Sequence, residues 1–273
     1  MEGFAAETFI PSRALRSLDP QCGSAQLDPL RDFPKTPDDI RDTLAKVAAI
    51  GYESVQLSAL GPMDPQELKD ACDRNGLSIC STHIGFEEML TDLAGVIERH
   101  RIYDCQYPGV GGMSQEYHGS AEGYRRFAQD ASEVGRQLKA AGMTFVYHNH
   151  STEYQHFGDE RGMDILFDES DPEAFAFELD TYWVAHGGGS PVAWINKCAG
   201  RLPVIHFKDM RITGGREQYY CEVGEGNLDW PGILAACEAA KVEWYIVEQD
   251  VCQRDPFESM KISFDNLKAM GVE

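Results

Sequence analysis

Apolar positions along the chain recur in two periods, and the two alternate. Residues 25–30 form a weak strand candidate, after which Thr36-Pro37-Asp38-Asp39 supplies an N-cap start to a helix over 40–50. Leu44, Val47 and Ala48 recur there at helical spacing, and Gly51 ends the run. The same grammar predicts strands over 54–60, 77–83, 103–110, 143–147, 175–180, 204–207 and 244–247. Helices are predicted over 65–75, 87–100, 121–141, 163–167, 191–199, 230–240 and 256–270. Alternation of this kind implies parallel strands joined by crossover helices, and about eight units close a single (β/α)8 TIM barrel of α/β class. An open doubly wound sheet would place a glycine fingerprint after the first strand, and residues 27–35 have none. Gly111-Gly112 and Gly187-Gly188-Gly189 lack both fingerprint and P-loop spacing and read as plain turns.

Charge narrows the partners. With 24 Lys+Arg against 45 Asp+Glu in 273 residues, the net charge of -21 repels phosphate backbones and anionic membrane surfaces. Nucleic acid and membrane are therefore not expected as partners. No apolar run approaches a membrane span, and the first 20 residues mix Glu, Arg, Ser and Asp where a leader would be apolar, so the expected location is cytoplasmic. The eight cysteines form no CxxC or zinc-like spacing and are expected as buried free thiols.

Chemistry collects just after the apolar strands: His83, His148 with His150, Asp180, His206 with Lys208 and Asp209, and Glu248 with Asp250. Strand ends of a TIM barrel converge on one mouth, which makes neighbours of residues far apart in sequence. One Asp or His at a strand end is often only a cap or a turn former; recurrence on successive strands is the signal. Carboxylates plus imidazole, without thiolates, suit Mn²⁺, Co²⁺, Mg²⁺ or Zn²⁺ with positions open to substrate oxygens. Such an ion stabilises the enediolate formed when a proton leaves next to a carbonyl, and neighbouring carboxylate and imidazole groups carry that proton.

Taken together, Ala49-Ile50-Gly51-Tyr52-Glu53-Ser54-Val55, Tyr147-His148-Asn149-His150 with Glu153, Leu179-Asp180-Thr181-Tyr182-Trp183, His206-Phe207-Lys208-Asp209, Val223-Gly224-Glu225-Gly226 and Val247-Glu248-Gln249-Asp250 resemble the xylose isomerase-like TIM barrel superfamily, in the branch labelled sugar phosphate isomerase/epimerase. The likeness runs from about Gln26 to the C-terminus, so residues 1–22 are read as an N-terminal extension and 23–273 as the barrel. The resemblance implies one divalent ion held by a Glu after strand five, an Asp after strand six, a His after strand seven and a Glu after strand eight. Asp180, His206 and Glu248 match the last three. His148 stands where the first is expected, so either His148 ligates or Glu153 folds back to supply the carboxylate. Glu153 is favoured, which leaves His148 and His150 for substrate contact and proton transfer, with Glu248 also in a catalytic role. Lys208, two residues beyond His206, shares its strand face and is expected to hold a substrate oxygen. Gln26, His83, Trp183 and Arg211 are the expected substrate contacts, Arg211 for an anionic group if the substrate has one.

The resemblance thus implies a metal-dependent isomerase or epimerase acting on a keto-sugar through an enediolate held on the metal. The alternative at the same site is β-elimination, as in a lyase or dehydratase acting on a 3-keto-glycoside or keto-inositol. A non-catalytic sugar-binding barrel would be expected to lose the ligand set. Phosphodiester hydrolysis, known on this barrel in the endonuclease IV group, conflicts with the acidic charge. The expected partner is a small carbohydrate, with a homo-oligomer possible.

Overall fold

The computed structural model describes residues 21–272. Eight strands in succession, Gln21–Gln26, Ser54–Leu57, Ser78–His83, Pro108–Val110, Phe145–His148, Phe175–Asp180, Val204–Phe207 and Trp244–Val247, are hydrogen-bonded in chain order. The eighth pairs in parallel with the first, through Ser24 with Ile246 and Ala25 with Val247, and so closes the barrel. Helices fill the connections, as the alternating periods require.

Strand alternation sorts the side chains into two cores. Phe145, Tyr147, Phe175, Phe177, Leu179, Ile205, Phe207 and Tyr245 face the helices and join one large cluster with residues such as Phe127, Leu138, Ile233 and Leu267. Inside the barrel, Cys80, Tyr107, Val146, Ala176, Val204 and Ile246 form a small apolar floor. One step of two residues further along four of these strands, the interior turns polar: His148, Glu178, His206 and Glu248, all buried. The same alternation that builds the core therefore aims the chemistry inward above an apolar base.

Local signals set the helix ends. Thr36 and Asp39 form a reciprocal capping box at the helix Pro37–Ile50. Gly76 and Gly142, at φ +70 and +82, reverse the chain after their helices in a conformation that costs side-chain-bearing residues more.

Several boundaries differ from the sequence reading. The first strand ends at Gln26, because Asp28 and Pro29 turn the chain into a short 3-10 helix, Asp28–Leu30. The helix expected over 87–100 is two, Phe86–Thr91 and Leu93–Tyr103, divided at Asp92, whose carboxylate accepts from Gly95 N at 3.1 Å. That second helix consumes the start of the expected fourth strand, which shrinks to Pro108–Val110. A helix Thr181–His186 and two antiparallel ribbons, His156–Phe157 with Glu160–Arg161 and Asp209–Ile212 with Gln218–Cys221, were not read from the sequence. Residues 1–20 of the expected extension lie outside the described residues. Cys72, Cys80, Cys105, Cys198, Cys221 and Cys237 are free and buried, and Cys252 is free and half-buried. No helix among the described residues is long and apolar enough to cross a membrane.

Candidate metal centre and active-site cavity

At the C-terminal end of the barrel, ligand atoms of His148, Asp180, His206 and Glu248 all lie within 4.8 Å of one another, and all four residues are buried. They come from the ends of strands five, six, seven and eight. His148 and Asp180 are each oriented by a contact outside the cluster. His148 Nδ1 donates to the Gly111 carbonyl at 3.3 Å, which leaves Nε2 directed at Asp180 Oδ2, 3.3 Å away. Asp180 spends Oδ1 as the N-cap of the helix Thr181–His186, accepting from Trp183 N at 2.9 Å, and turns Oδ2 to the cluster. His206 Nδ1 lies 2.5 Å from Glu248 Oε2.

A second layer lies directly beneath. Glu178, two residues before Asp180 on the same strand face, contacts His206 Nε2 at 3.0 Å and His83 Nε2 at 2.7 Å, and accepts from Gln56 Nε2 at 2.6 Å. His83, Glu178 and His206 could also surround an ion, but there the Glu178 oxygens are already occupied by these donors. The four-residue group is therefore the better candidate.

Lys208 is fully buried beside it. Its Nζ pairs with Asp250, lies 3.4 Å from Asp180 Oδ2 and 3.6 Å from Glu248 Oε2, and sits 4.9 Å from the Trp183 ring centroid. Three carboxylates, Asp180, Glu248 and Asp250, thus surround one fixed cation, and a fourth, Glu178, lies against His206. Burial pushes the Asp180 carboxyl up to about 6 even though Lys208 favours its charge. Burial works against charge on His206 as well, yet Glu178 and Glu248 raise it to about 10. Burial and His206 hold His148 neutral, well below its ordinary value. A site short of positive charge, with two imidazoles and two carboxylates converging, fits a divalent cation.

The cluster opens into a cavity of about 510 Å³ lined by Gln26, Asp28, His83, His148, His150 and Glu248 among others. His150 packs 5.2 Å from Trp183, ring centroid to centroid, and burial lowers its pKa to about 3, so it is a neutral acceptor. Trp183 Nε1 is buried without an acceptor. A cavity of about 480 Å³ at the opposite end of the barrel is lined by Tyr107, Lys139, Glu173, Lys241 and neighbours, and contains no histidine.

Most residues named from the sequence meet here: Gln26, His83, His148, His150, Asp180, Trp183, His206, Lys208 and Glu248. Two do not. Glu153 lies behind strand five, its carboxylate accepting from the Tyr147 hydroxyl at 2.6 Å, His150 N at 3.0 Å and the Thr152 hydroxyl at 2.9 Å. Tyr147 points outward into the helix layer where its neighbour His148 points inward, so Glu153 is fastened to the wrong side of the strand for the cluster. Arg211 is exposed on the ribbon Asp209–Ile212 and does not line the cavity. Gly111 and Gly112, read as plain turns, form part of the cavity wall. Glu178 and Gln56 were missed, although a carboxylate in the buried run Phe175–Asp180, in phase with Asp180, was a visible signal.

Comparison with known proteins agrees with this architecture. A family model described as xylose isomerase-like TIM barrel matches residues 44–270. Among curated relatives, an inosose dehydratase of Clostridium beijerinckii is 24% identical, covering 79% of this chain and 84% of that one. One of Lacticaseibacillus casei is 25% identical over 76% of this chain and 82% of its own. A solved sugar phosphate isomerase/epimerase from Parabacteroides distasonis superposes with a TM-score of 0.77 at 20% identity, covering 99% of this chain and 100% of the other.

Proposed function

Because the chain belongs to the xylose isomerase-like TIM barrel family, we propose that it is a divalent-metal-dependent enzyme that removes a proton next to the carbonyl of an uncharged keto-sugar or keto-polyol. The observation that carries this reading is the convergence of His148, Asp180, His206 and Glu248 at the base of the cavity. These four would hold the ion, with His148 rather than Glu153 as the strand-five ligand. When bound, the ion would supply electrostatic stabilisation of the negative charge that develops on the carbonyl oxygen.

The chain's own groups divide the remaining work. His150, neutral at the cavity wall, is placed to accept the proton. Lys208 offers its ammonium hydrogens beside Asp180 and Glu248, where a substrate oxygen gains a charged donor. Trp183 Nε1, with no acceptor in the protein, is a ready donor to a hydroxyl. An uncharged substrate is supported by the lining: Asp28, Glu248 and Asp250 face the cavity, and Lys208 beside it is already paired with Asp250, Asp180 and Glu248. A phosphate or carboxylate would meet carboxylates whose neighbouring ammonium is already shared among three of them.

The fate of the carbanion separates two reactions. Expulsion of a hydroxyl β to the carbonyl is dehydration, the reaction in the names of the curated relatives; return of the proton is isomerisation or epimerisation. We place elimination first. The test incubates metal-loaded protein with inososes, 3-keto-glycosides and free ketoses in D₂O. Loss of water or alcohol from the first two supports elimination, and deuterium in a product of unchanged composition supports isomerisation. Full turnover after metal removal, or no exchange with any member of the panel, sinks the proposal.

A further inference from the structure

We infer that Glu178, supported by Gln56, is a positioning residue that sets two histidines at once, presenting Nδ1 of His206 to the metal centre and Nδ1 of His83 to the cavity. The inference rests on the four-residue centre proposed above. Glu178 itself is fully buried, one step of the strand below Asp180.

The argument is one of donors and acceptors. A carboxylate only accepts, so the Gln56 amide must turn its Nε2 to Glu178 Oε1, 2.6 Å away. That choice directs Gln56 Oε1 toward His206 Nε2 at 2.6 Å and toward Gln26 Nε2 at 2.8 Å. Ser81 Oγ, 3.2 Å from Gln56 Nε2, takes the other amide hydrogen. His206 Nε2 then faces only oxygens, from Gln56 and from Glu178 at 3.0 Å, and it must carry a hydrogen. Nδ1 faces Asp180 and Glu248, at 3.9 and 2.5 Å, and so also carries a hydrogen while no ion is bound; it is the nitrogen that would give up its hydrogen to an ion, because Nε2 stays anchored on Gln56 and Glu178.

The other Glu178 oxygen imposes the same choice on His83. Its Nε2 lies 2.7 Å from Glu178 Oε2 and carries hydrogen, while its Nδ1 faces the Gln26 amide donor at 3.4 Å. A methyl group built on Gly111 would come within 2.9 Å of that Nδ1, which places the lone pair at the cavity wall. One carboxylate therefore writes the tautomer of both rings, which stack at 5.4 Å. Such outer partners of metal-binding histidines commonly change affinity 10–100-fold.

The experiment loads ¹⁵N-histidine-labelled full-length protein with Zn²⁺ and reads the ring nitrogens by NMR, alongside Zn²⁺ affinity by chelator competition. The wild type should show Nε2–H on both His83 and His206, with His206 Nδ1 shifted by the metal. Glu178→Gln keeps the volume but turns a donor toward one of the rings or toward Gln56. It should lose an Nε2–H signal and bind Zn²⁺ about 10–100-fold more weakly. Glu178→Asp, with the charge retained but withdrawn by one methylene, should weaken binding too. Coordination of Zn²⁺ through His206 Nε2, or a Glu178→Gln protein with wild-type affinity and spectrum, overturns the inference alone. A wild type that takes up no Zn²⁺ overturns the metal centre and this inference with it. If Glu178→Gln does not fold, the wild-type spectrum still decides.

Discussion

At the scale of single residues, the identity of the fifth-strand ligand turns on which way two neighbouring side chains point. His148 faces the barrel interior and Tyr147 the helices, and Glu153 goes with Tyr147. His148→Ala should therefore empty the centre, whereas Glu153→Gln should keep its metal. The latter should lose about 1–3 kcal/mol of stability, since an amide cannot accept from the Tyr147 hydroxyl, the Thr152 hydroxyl and His150 N together. Metal content by elemental analysis and urea unfolding of both variants check this; a loaded His148→Ala beside an empty Glu153→Gln would restore the family pattern. The sequence reading favoured Glu153 on charge type, whereas strand phase carries Glu153 with Tyr147 and His148 with the cluster. Asp180, His206 and Glu248 were legible because each follows an apolar run directly, whereas Gln56 and Glu178 sit inside such runs, where a polar residue is easily passed over.

Elements were legible in proportion to how apolar they are. The strands Phe175–Asp180, Val204–Phe207 and Trp244–Val247 and the helix Trp230–Ala240 match the sequence reading at both ends, while the first strand, Gln-Cys-Gly-Ser-Ala-Gln, hides its alternation behind small and polar residues. The motif Val223-Gly224-Glu225-Gly226 gains a structural meaning. Gly224 N and Gly226 N donate to Asp209 Oδ2 at 3.0 and 2.9 Å, and Trp230 Nε1 does so at 2.6 Å, so the glycine loop wraps the carboxylate next to Lys208. A methyl group at position 226 would fall 2.1 Å from Asp209 Oδ1. Asp209→Ala strips these buried donors of their acceptor and should cost about 2–4 kcal/mol by urea unfolding; a loss below ~0.5 kcal/mol would contradict the cradle. His100 ties the helix Leu93–Tyr103 to the third strand in the same manner, donating from Nδ1 to Val96 O at 2.7 Å and accepting at Nε2 from Thr82 Oγ1 at 2.8 Å. Burial lowers its pKa from 6.5 to about 4. Below pH 6.5 the unfolded chain binds a proton that the folded one refuses, so stability falls as pH drops from 6.5 to about 4 and this group adds no further loss below that. The full loss is about 3–4 kcal/mol, at ~1.4 kcal/mol per unit of pKa difference. His100→Gln should flatten that part of the stability profile measured at pH 7 and pH 5, and an unchanged slope would refute the assignment.

Across the whole molecule, the acidic excess behind the net charge of -21 includes four carboxylates that crowd one end of the barrel interior. Metal binding should then report on global stability: free ion at a hundred times its dissociation constant adds about 2.7 kcal/mol. A thermal midpoint indifferent to Mn²⁺ and to chelator would argue against a centre held by four strands. The barrel's base has a kinetic counterpart. Cys80, Tyr107, Val146, Ala176, Val204 and Ile246 pack into an apolar plug, and the Tyr107 hydroxyl donates to Glu243 at 2.6 Å across its lower edge. Among the described residues, reactant and product consequently share the doorway at the other end, and whatever leaves by it must clear the threshold before its successor can enter. Because the two also share one cavity, added product should raise the apparent KM and leave kcat unchanged; a fall in kcat would show product bound together with reactant and so a second binding place.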